Sequence, residues 1–203
     1  RAADPVAQAI VRAGVPVATV GHPSRAGDMP YATINNRKAA KEITNRLRLT
    51  GRKRIGMIAS GLDRDSGRDR RRGFREALRG DFDPELVVET PYYSYQAGLD
   101  GIAELLRREP KLDGVFASSD AAASGVIDGL LALGRRVPED VGVVGFDDSS
   151  WALRAQRPLS TVHQPAYELG QVGARIVLEQ IQGEDASDLS VVLPTSIVWR
   201  DSA

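Results

Sequence analysis

Val141-Gly142-Val143-Val144-Gly145-Phe146 is an unbroken apolar run that ends on two carboxylates, Asp147 and Asp148. A strand with one face in water alternates apolar and polar residues, so a run without alternation belongs to a sheet covered on both faces. The stretches at 55–59 and 114–117 have the same character, and shorter extended runs fall at 15–20, 31–34, 86–88 and 159–162. Between them lie amphipathic stretches. Asn35 and Asn36 are N-cap candidates for a helix over 37–49 closed by Gly51, and a helix leads from the loop 60–67 through Leu78. Leu99, Ile102, Leu105 and Leu106 share one face of a helix over 98–108, and a largely apolar helix over 121–133 stops at Gly134. Leu169, Val172, Ile176, Val177 and Ile181 form one stripe over 166–181. At the start, Val6, Ala9, Ile10 and Ala13 share a helical face that Gly14 ends as a left-handed cap. The last extended run, 191–199, is interrupted by Pro194, which places part of it at a sheet edge. Strands alternating with helices imply a doubly wound, parallel α/β architecture.

The 203 residues are enough for a buried core, and 42% hydrophobic with 27% charged residues is a globular composition. Twenty-seven basic residues balance twenty-seven acidic ones, which argues against a chain that binds nucleic acid or membrane surfaces as a whole. The absence of cysteine excludes disulfides, thiolate metal sites and cysteine nucleophiles. There is no apolar run of membrane-spanning length and no signal-peptide pattern, so the expected location is the cytoplasm.

In an open parallel sheet, ligands bind beyond the carboxyl ends of the strands. The residues to inspect are therefore Gly21-His22, the segment from Ser60, Tyr92-Tyr93-Ser94, Ser118-Ser119-Asp120 and Asp147-Asp148. Dinucleotide, P-loop and nucleophile-elbow motifs are missing, and His22 and His163 lie outside any metal-ligand spacing. Asp63-x-Asp65 has the start of a calcium loop without its later glycine and glutamate. No enzyme chemistry, metal or cofactor is expected. Seven arginines, Arg64, Arg68, Arg70, Arg71, Arg72, Arg75 and Arg79, fall among Asp63, Asp65, Asp69 and Glu76. They read as a solvated charged face, as a nucleic-acid patch, or as a face from which Arg64, Ser66 and Arg70 reach a cleft. Asp147 serves either a ligand or a turn cap, Ser119 is also an N-cap candidate, and Tyr92 or Tyr95 competes with Tyr93 as the inward ring. Trp151 reads as packing or interface. What remains is a binding set, because carboxylate and guanidinium groups read vicinal hydroxyls and an aromatic face covers the apolar side of a sugar or base.

Several blocks carry a family resemblance. They are Arg54-Ile55-Gly56, Arg70-x-x-Gly73-Phe74-x-x-Ala77-Leu78, Asp113-Gly114-Val115-Phe116-Ala117-Ser118-Ser119-Asp120, and Val137-Pro138-Glu139-Asp140 leading into the opening run. Pro158-Leu159-Ser160-Thr161-Val162-His163-Gln164-Pro165 and Leu193-Pro194-Thr195-Ser196-Ile197-Val198-x-Arg200 complete the set. In this order and spacing the chain resembles the effector-binding core of LacI/GalR bacterial transcriptional repressors. The resemblance implies two doubly wound lobes of the periplasmic-binding-protein-like type joined by three crossovers. It places 1–34 with 163–190 in an N-terminal lobe that lacks its first strand, and 35–162 with 191–203 in the C-terminal lobe. It also implies a helix-turn-helix ahead of Arg1 through which operator DNA is bound, a homodimer, and a sugar-like effector between the lobes. The runner-up function is a sugar-binding protein of a transport system. Matching positions make Arg64, Ser66, Arg70, Tyr93, Ser119, Asp147 and Gln164 the ligand contacts, with Ser119 where the family usually has asparagine and Asn35 where it has aspartate. Arg70 and Asp147 are expected to be cleft charges facing water, replaceable without loss of the fold, and Arg72 and Asp148 to face away. The helices at 37–49 and 121–133 are the expected dimer faces, from their apolar content.

Overall fold

The computed structural model describes residues 9–10, 12–22, 29–183 and 189–203. Its strands are β1 (Thr19–Val20), β2 (Tyr31–Ile34), β3 (Ile55–Ser60), β4 (Val87–Thr90), β5 (Gly114–Ala117), β6 (Gly142–Val144), β7 (Thr161–His163), β8 (Val191–Leu193) and β9 (Ser196–Val198). They form a parallel sheet in the order β1-β2-β8, a parallel sheet in the order β4-β3-β5-β6, and the antiparallel pair β7-β9. The helices are α1 (Asn36–Leu49), α2 (Asp65–Leu78), α3 (Tyr95–Arg108), α4 (Asp120–Ala132), α5 (Ser150–Arg154) and α6 (Ala166–Ile181).

The apolar runs are buried on both faces, as their lack of alternation demands. Ile55, Met57 and Ala59 of β3 enter one core with Phe116, Val144 and the α1 and α2 residues Ile43, Leu47 and Phe74. Ile58 enters the other with Val115, Ala117, Val143 and Ile102, Leu105, Val126 and Ile127 of α3 and α4. Each large side chain withdrawn from water here contributes roughly 1.5–3 kcal/mol. Helices α3 and α4 approach so closely that a Cβ at Gly125 would stand 2.1 Å from the Tyr95 carbonyl oxygen, and one at Gly98 2.0 Å from that of Ala122. Asn35 caps α1 by accepting from the Lys38 amide at 2.9 Å, and Gly51 ends that turn at φ +95°.

The chain passes three times between the first sheet and the second sheet with its adjoining β7-β9 pair. β2 leads into α1, which packs on α2; β7 leads into α6, which packs on β1 and β2; and β8 leads into β9. The third passage corrects the sequence expectation. Residues 191–199 are not one strand of the C-terminal lobe: Val191, Val192 and Leu193 pair with Ala32, Thr33 and Ile34 in the first sheet, and only after Pro194 does the chain join β7. Proline has no N–H to continue the ladder, so the crossing falls at 194–195 rather than at the expected lobe boundary between 190 and 191. Two other runs are shorter than expected. Of 15–20 only Thr19–Val20 is a strand, and after Val144 the chain leaves β5 to bond the β7 side, with the Gly145 amide on the Ser160 carbonyl at 2.9 Å. Val6 lies outside the described residues. In the helices expected as dimer faces, Ala39, Ala40, Ile43 and Leu47 of α1 and most of α4 are buried, while Leu49 at the end of α1 is exposed. Among the described residues no helix is long and apolar enough to cross a membrane.

Candidate functional site

The order β4-β3-β5-β6 reverses direction between β3 and β5, and such a switch point opens a crevice at the strands' carboxyl ends. A cleft of about 290 Å³ lies there, lined from the second sheet's side by Arg64, Ser66, Arg70, Tyr93 and Asp147, and from the first sheet and the crossings by Val20, Gly21, Thr33, Ile34, Asn36, Gln164 and Leu169.

Arg70, on the second turn of α2, is the hub. It is 5% exposed. Its Nε donates to Asn36 Oδ1 at 2.9 Å and its Nη1 to the Ser118 carbonyl at 2.6 Å. Longer bonds run from Nη1 to Asp147 Oδ1 at 3.3 Å and from Nη2 to Gln164 Oε1 at 3.4 Å. The guanidinium carbon lies 3.6 Å from the centroid of the Phe146 ring, which covers one face of the cation. The α2 face also resolves the arginine run: Arg71 pairs with Glu89, Arg72 with Asp69 and Arg68 with Asp65, while Arg64 and Arg70 reach the cleft.

Asp147 and Asp148 point apart because both have left-handed backbone, φ +114° and +54°. For a non-glycine residue that conformation costs on the order of 1–3 kcal/mol and persists where neighbours hold it. Here the Asp147 amide donates to the Val162 carbonyl at 2.9 Å, and the Gln164 amide donates to the Asp147 carbonyl at 3.2 Å. Burial pushes the Asp147 carboxyl up, against the pull of Arg70. Burial would raise Asp148 too, but hydrogen bonds from Arg200 at 2.7 Å and His163 at 3.0 Å outweigh it and hold that carboxyl below its usual range. Asp148 therefore anchors the loop to β7 and to the segment after β9. A third carboxyl underlies both. Asp120 is fully buried and accepts from Thr161 Oγ1, the Ser149 amide and Ser149 Oγ. Burial pushes it up to about 7 in spite of these donors.

The tyrosine alternatives separate cleanly. Tyr92 is 73% exposed, and Tyr95 stacks on Trp151 and donates to Asp128 at 2.7 Å. Tyr93 faces the cleft, its ring laid over Gly61 so tightly that a Cβ there would come within 2.4–2.6 Å of ring atoms. Its hydroxyl is buried with no hydrogen-bond partner among the described residues.

Six of the seven expected contacts, Arg64, Ser66, Arg70, Tyr93, Asp147 and Gln164, thus line one cleft. Ser119 does not. It is 3% exposed and its hydroxyl accepts from the Ala122 amide at 3.3 Å, the N-cap bond of α4. The expectation of water-facing charges is corrected for Arg70, which is buried under four acceptors, whereas Asp147 keeps a third of its side chain exposed and Asp148 turns from the cleft to Arg200. Asn36 was missed, because an Asn-Asn pair before a helix reads as a cap and only one of the two caps it. No group of three or more His, Asp or Glu side chains among the described residues could hold a metal ion.

Comparisons with known proteins bear on the family and the fold. Residues 44–203 match the family model of the periplasmic binding protein-like domain. The chain is 38% identical over 204 residues to the HTH-type transcriptional regulator CelR of Thermobifida fusca, covering 98% of this chain and 60% of that protein. It is 30% identical over 178 residues to the HTH-type transcriptional repressor CytR of Escherichia coli, covering 86% and 52%. A solved complex of the transcriptional regulator CelR with cellobiose superposes with a TM-score of 0.93 at 38% identity, over 98% of this chain and 62% of that one. The chain therefore spans between half and two thirds of the length of these proteins.

Proposed function

The chain belongs to the periplasmic binding protein-like domain family, in the form carried by LacI/GalR-type transcriptional regulators, and from that premise we propose that it is a sensing core that binds a neutral, polyhydroxylated, sugar-class effector between two lobes. One observation carries the reading. Arg70 commits four of its five N–H donors to Asn36, Ser118, Asp147 and Gln164, and keeps one Nη2 proton beside the cleft. Asp147 uses Oδ1 for Arg70 and keeps Oδ2, with a third of its side chain open. One donor beside one acceptor suits two neighbouring hydroxyls, the first accepting from Arg70 and the second donating to Asp147. An anionic ligand would meet the Asp147 carboxylate, whereas a neutral sugar meets no opposing charge. Tyr93 adds an apolar face of the kind a pyranose ring presents.

In the intact regulator the lobes would be built around the β1-β2-β8 and β4-β3-β5-β6 sheets, and the effector would change operator affinity by binding one lobe arrangement better than the other. We include a homodimer and a cytoplasmic location in this reading. Trp151 and Leu153, 43% and 69% exposed on α5, are apolar residues suited to a partner face. The regulators among the relatives weigh against a transport protein, and among the described residues no nucleophile–base pair lines the cleft to favour an enzyme.

The test is calorimetry with cellobiose and a panel of pentoses, hexoses and polyols. A hydrogen bond to a charged group is worth roughly 1.5–3 kcal/mol, so Asp147→Asn should weaken binding about ten- to a hundredfold. Wild-type affinity in that variant, or no sugar bound by the wild type, would refute the assignment.

A further inference from the structure

Asn36 is the first residue of α1, one residue beyond Asn35 from the end of β2, so it stands where the chain leaves the first sheet for the second. It is buried, lines the cleft, and gives its carbonyl oxygen to Arg70 Nε at 2.9 Å. Its neighbour Asn35 faces the other way and caps the helix. Two bonds on different sides of the guanidinium define its plane, and the short ones are those to Asn36 and to the Ser118 carbonyl. The bonds to Asp147 and Gln164 are longer, 3.3 and 3.4 Å, and lie on the edge that faces the cleft. A ligand can exchange for these without disturbing the other two.

We propose that Asn36 is a positioning residue: by holding Arg70 Nε it turns the Nη edge toward the ligand, and it ties that orientation to the first chain crossing. The inference rests on the cleft being the sugar site argued above. With Asn36 removed, the guanidinium keeps the Ser118 bond and can swing about it, so the donor no longer stands at a fixed distance from Asp147. Because Asn36 rides on the segment joining the two sheets, any shift of one sheet against the other carries this acceptor with it. Ligand grip and lobe arrangement then share one hydrogen bond.

The experiment has an arm that needs no ligand. In the full 203-residue chain with labelled arginine, the Arg70 Nε–H signal, assigned by its loss in Arg70→Lys, reports the bond through its exchange with water. Asn36→Ala should speed that exchange at least tenfold, and Asn36→Asp, which keeps an acceptor oxygen, should restore protection. Asn35→Ala, which removes only the cap, should lower the melting temperature and leave the Arg70 signal in place. Cellobiose affinity should fall about tenfold in Asn36→Ala and recover in Asn36→Asp, the size expected for a weakened charged hydrogen bond. Unchanged exchange in Asn36→Ala overturns the proposal, as does loss of the bond with wild-type affinity. If the wild type binds no sugar, the proposed function fails while the exchange arm still decides whether Asn36 orients Arg70.

Discussion

Replacing Arg70 by alanine should damage the fold as well as the cleft. In the sequence this arginine sits in a run of exposed cations. In the structure it is 5% exposed, donates to Asn36, Ser118, Asp147 and Gln164, and covers the Phe146 ring at 3.6 Å. Truncation leaves the Ser118 carbonyl and the Asn36 amide without their donor in a buried place. It also strips Asp147 of its cation while burial already disfavours that carboxylate. Breaking a buried ion pair from one side costs about 3–5 kcal/mol, because the remaining charge is uncompensated. Asp147 keeps a third of its side chain exposed and can draw on water, which points to the lower end, about 3 kcal/mol. Arg72 is the control. It pairs only with Asp69 at a site where its own side chain is 64% exposed, and exposed pairs are worth at most about 1 kcal/mol. Urea unfolding followed by circular dichroism measures both variants against the wild type, with the slope checked for two-state behaviour. A loss below about 1 kcal/mol in Arg70→Ala, or equal losses in the two variants, would refute the claim that Arg70 is a structural hub. The same reasoning makes Asp147→Asn, rather than Arg70→Ala, the cleaner probe of binding.

Asp120 should make the protein more stable in mild acid. Its folded pKa, pushed up to about 7 from 3.8, means the folded state binds a proton that the unfolded state gives up, so this stability is complete below about pH 4 and disappears as pH rises through 7. Acidification from pH 8 to pH 5 should therefore add about 2–3 kcal/mol in urea unfolding, and Asp120→Asn should flatten the profile; a stability that falls over this interval would contradict the assignment. Carboxylates held low by arginine partners, Glu104 and Asp140 near 2 and Glu76 and Asp148 also below their usual range, oppose this change but act below that window. Gly61→Ala should weaken sugar binding through Tyr93, because residue 61 has φ +64° and its Cβ would meet the tyrosine ring at 2.4–2.6 Å. Displacing that ring removes the apolar face of the cleft, so calorimetry should show at least a tenfold loss, and an unchanged constant would show that Tyr93 is not part of the site.

Much of the fold was legible in one dimension because the relevant forces are local or periodic. The unbroken apolar run at 141–146 and its equivalents at 55–59 and 114–117 announce a sheet covered on both faces, and the cores formed by alternate residues of β3, β5 and β6 are that arrangement realised. Helix ends were legible too, since Asn35, Gly51 and Gly134 act on their own backbone. The strand-end residues were legible as a group, because topology alone carries them to one side of the sheet, and the family's motifs narrowed the group to seven, of which six share a cleft.

Tertiary structure decided everything that depends on which side chain answers which. A serine after β5 can cap or reach outward, and Ser119 is buried and caps α4 by accepting from the Ala122 amide. Two asparagines at the start of α1 are equivalent as sequence; a buried guanidinium 34 residues away gives one of them a different task. Arg70 looks like its six neighbours in the run until the chain folds its carbonyl and carboxylate partners around it. The strand at 191–193 could have continued along β9, and it pairs instead with β2, because Pro194 interrupts the ladder and the edge of the first sheet is there to receive it. Propensity and periodicity are properties of neighbours along the chain. Hydrogen-bond partnership, burial and the resulting proton affinities are properties of neighbours in space, and at this site those neighbours come from segments as distant as residues 36, 118 and 164.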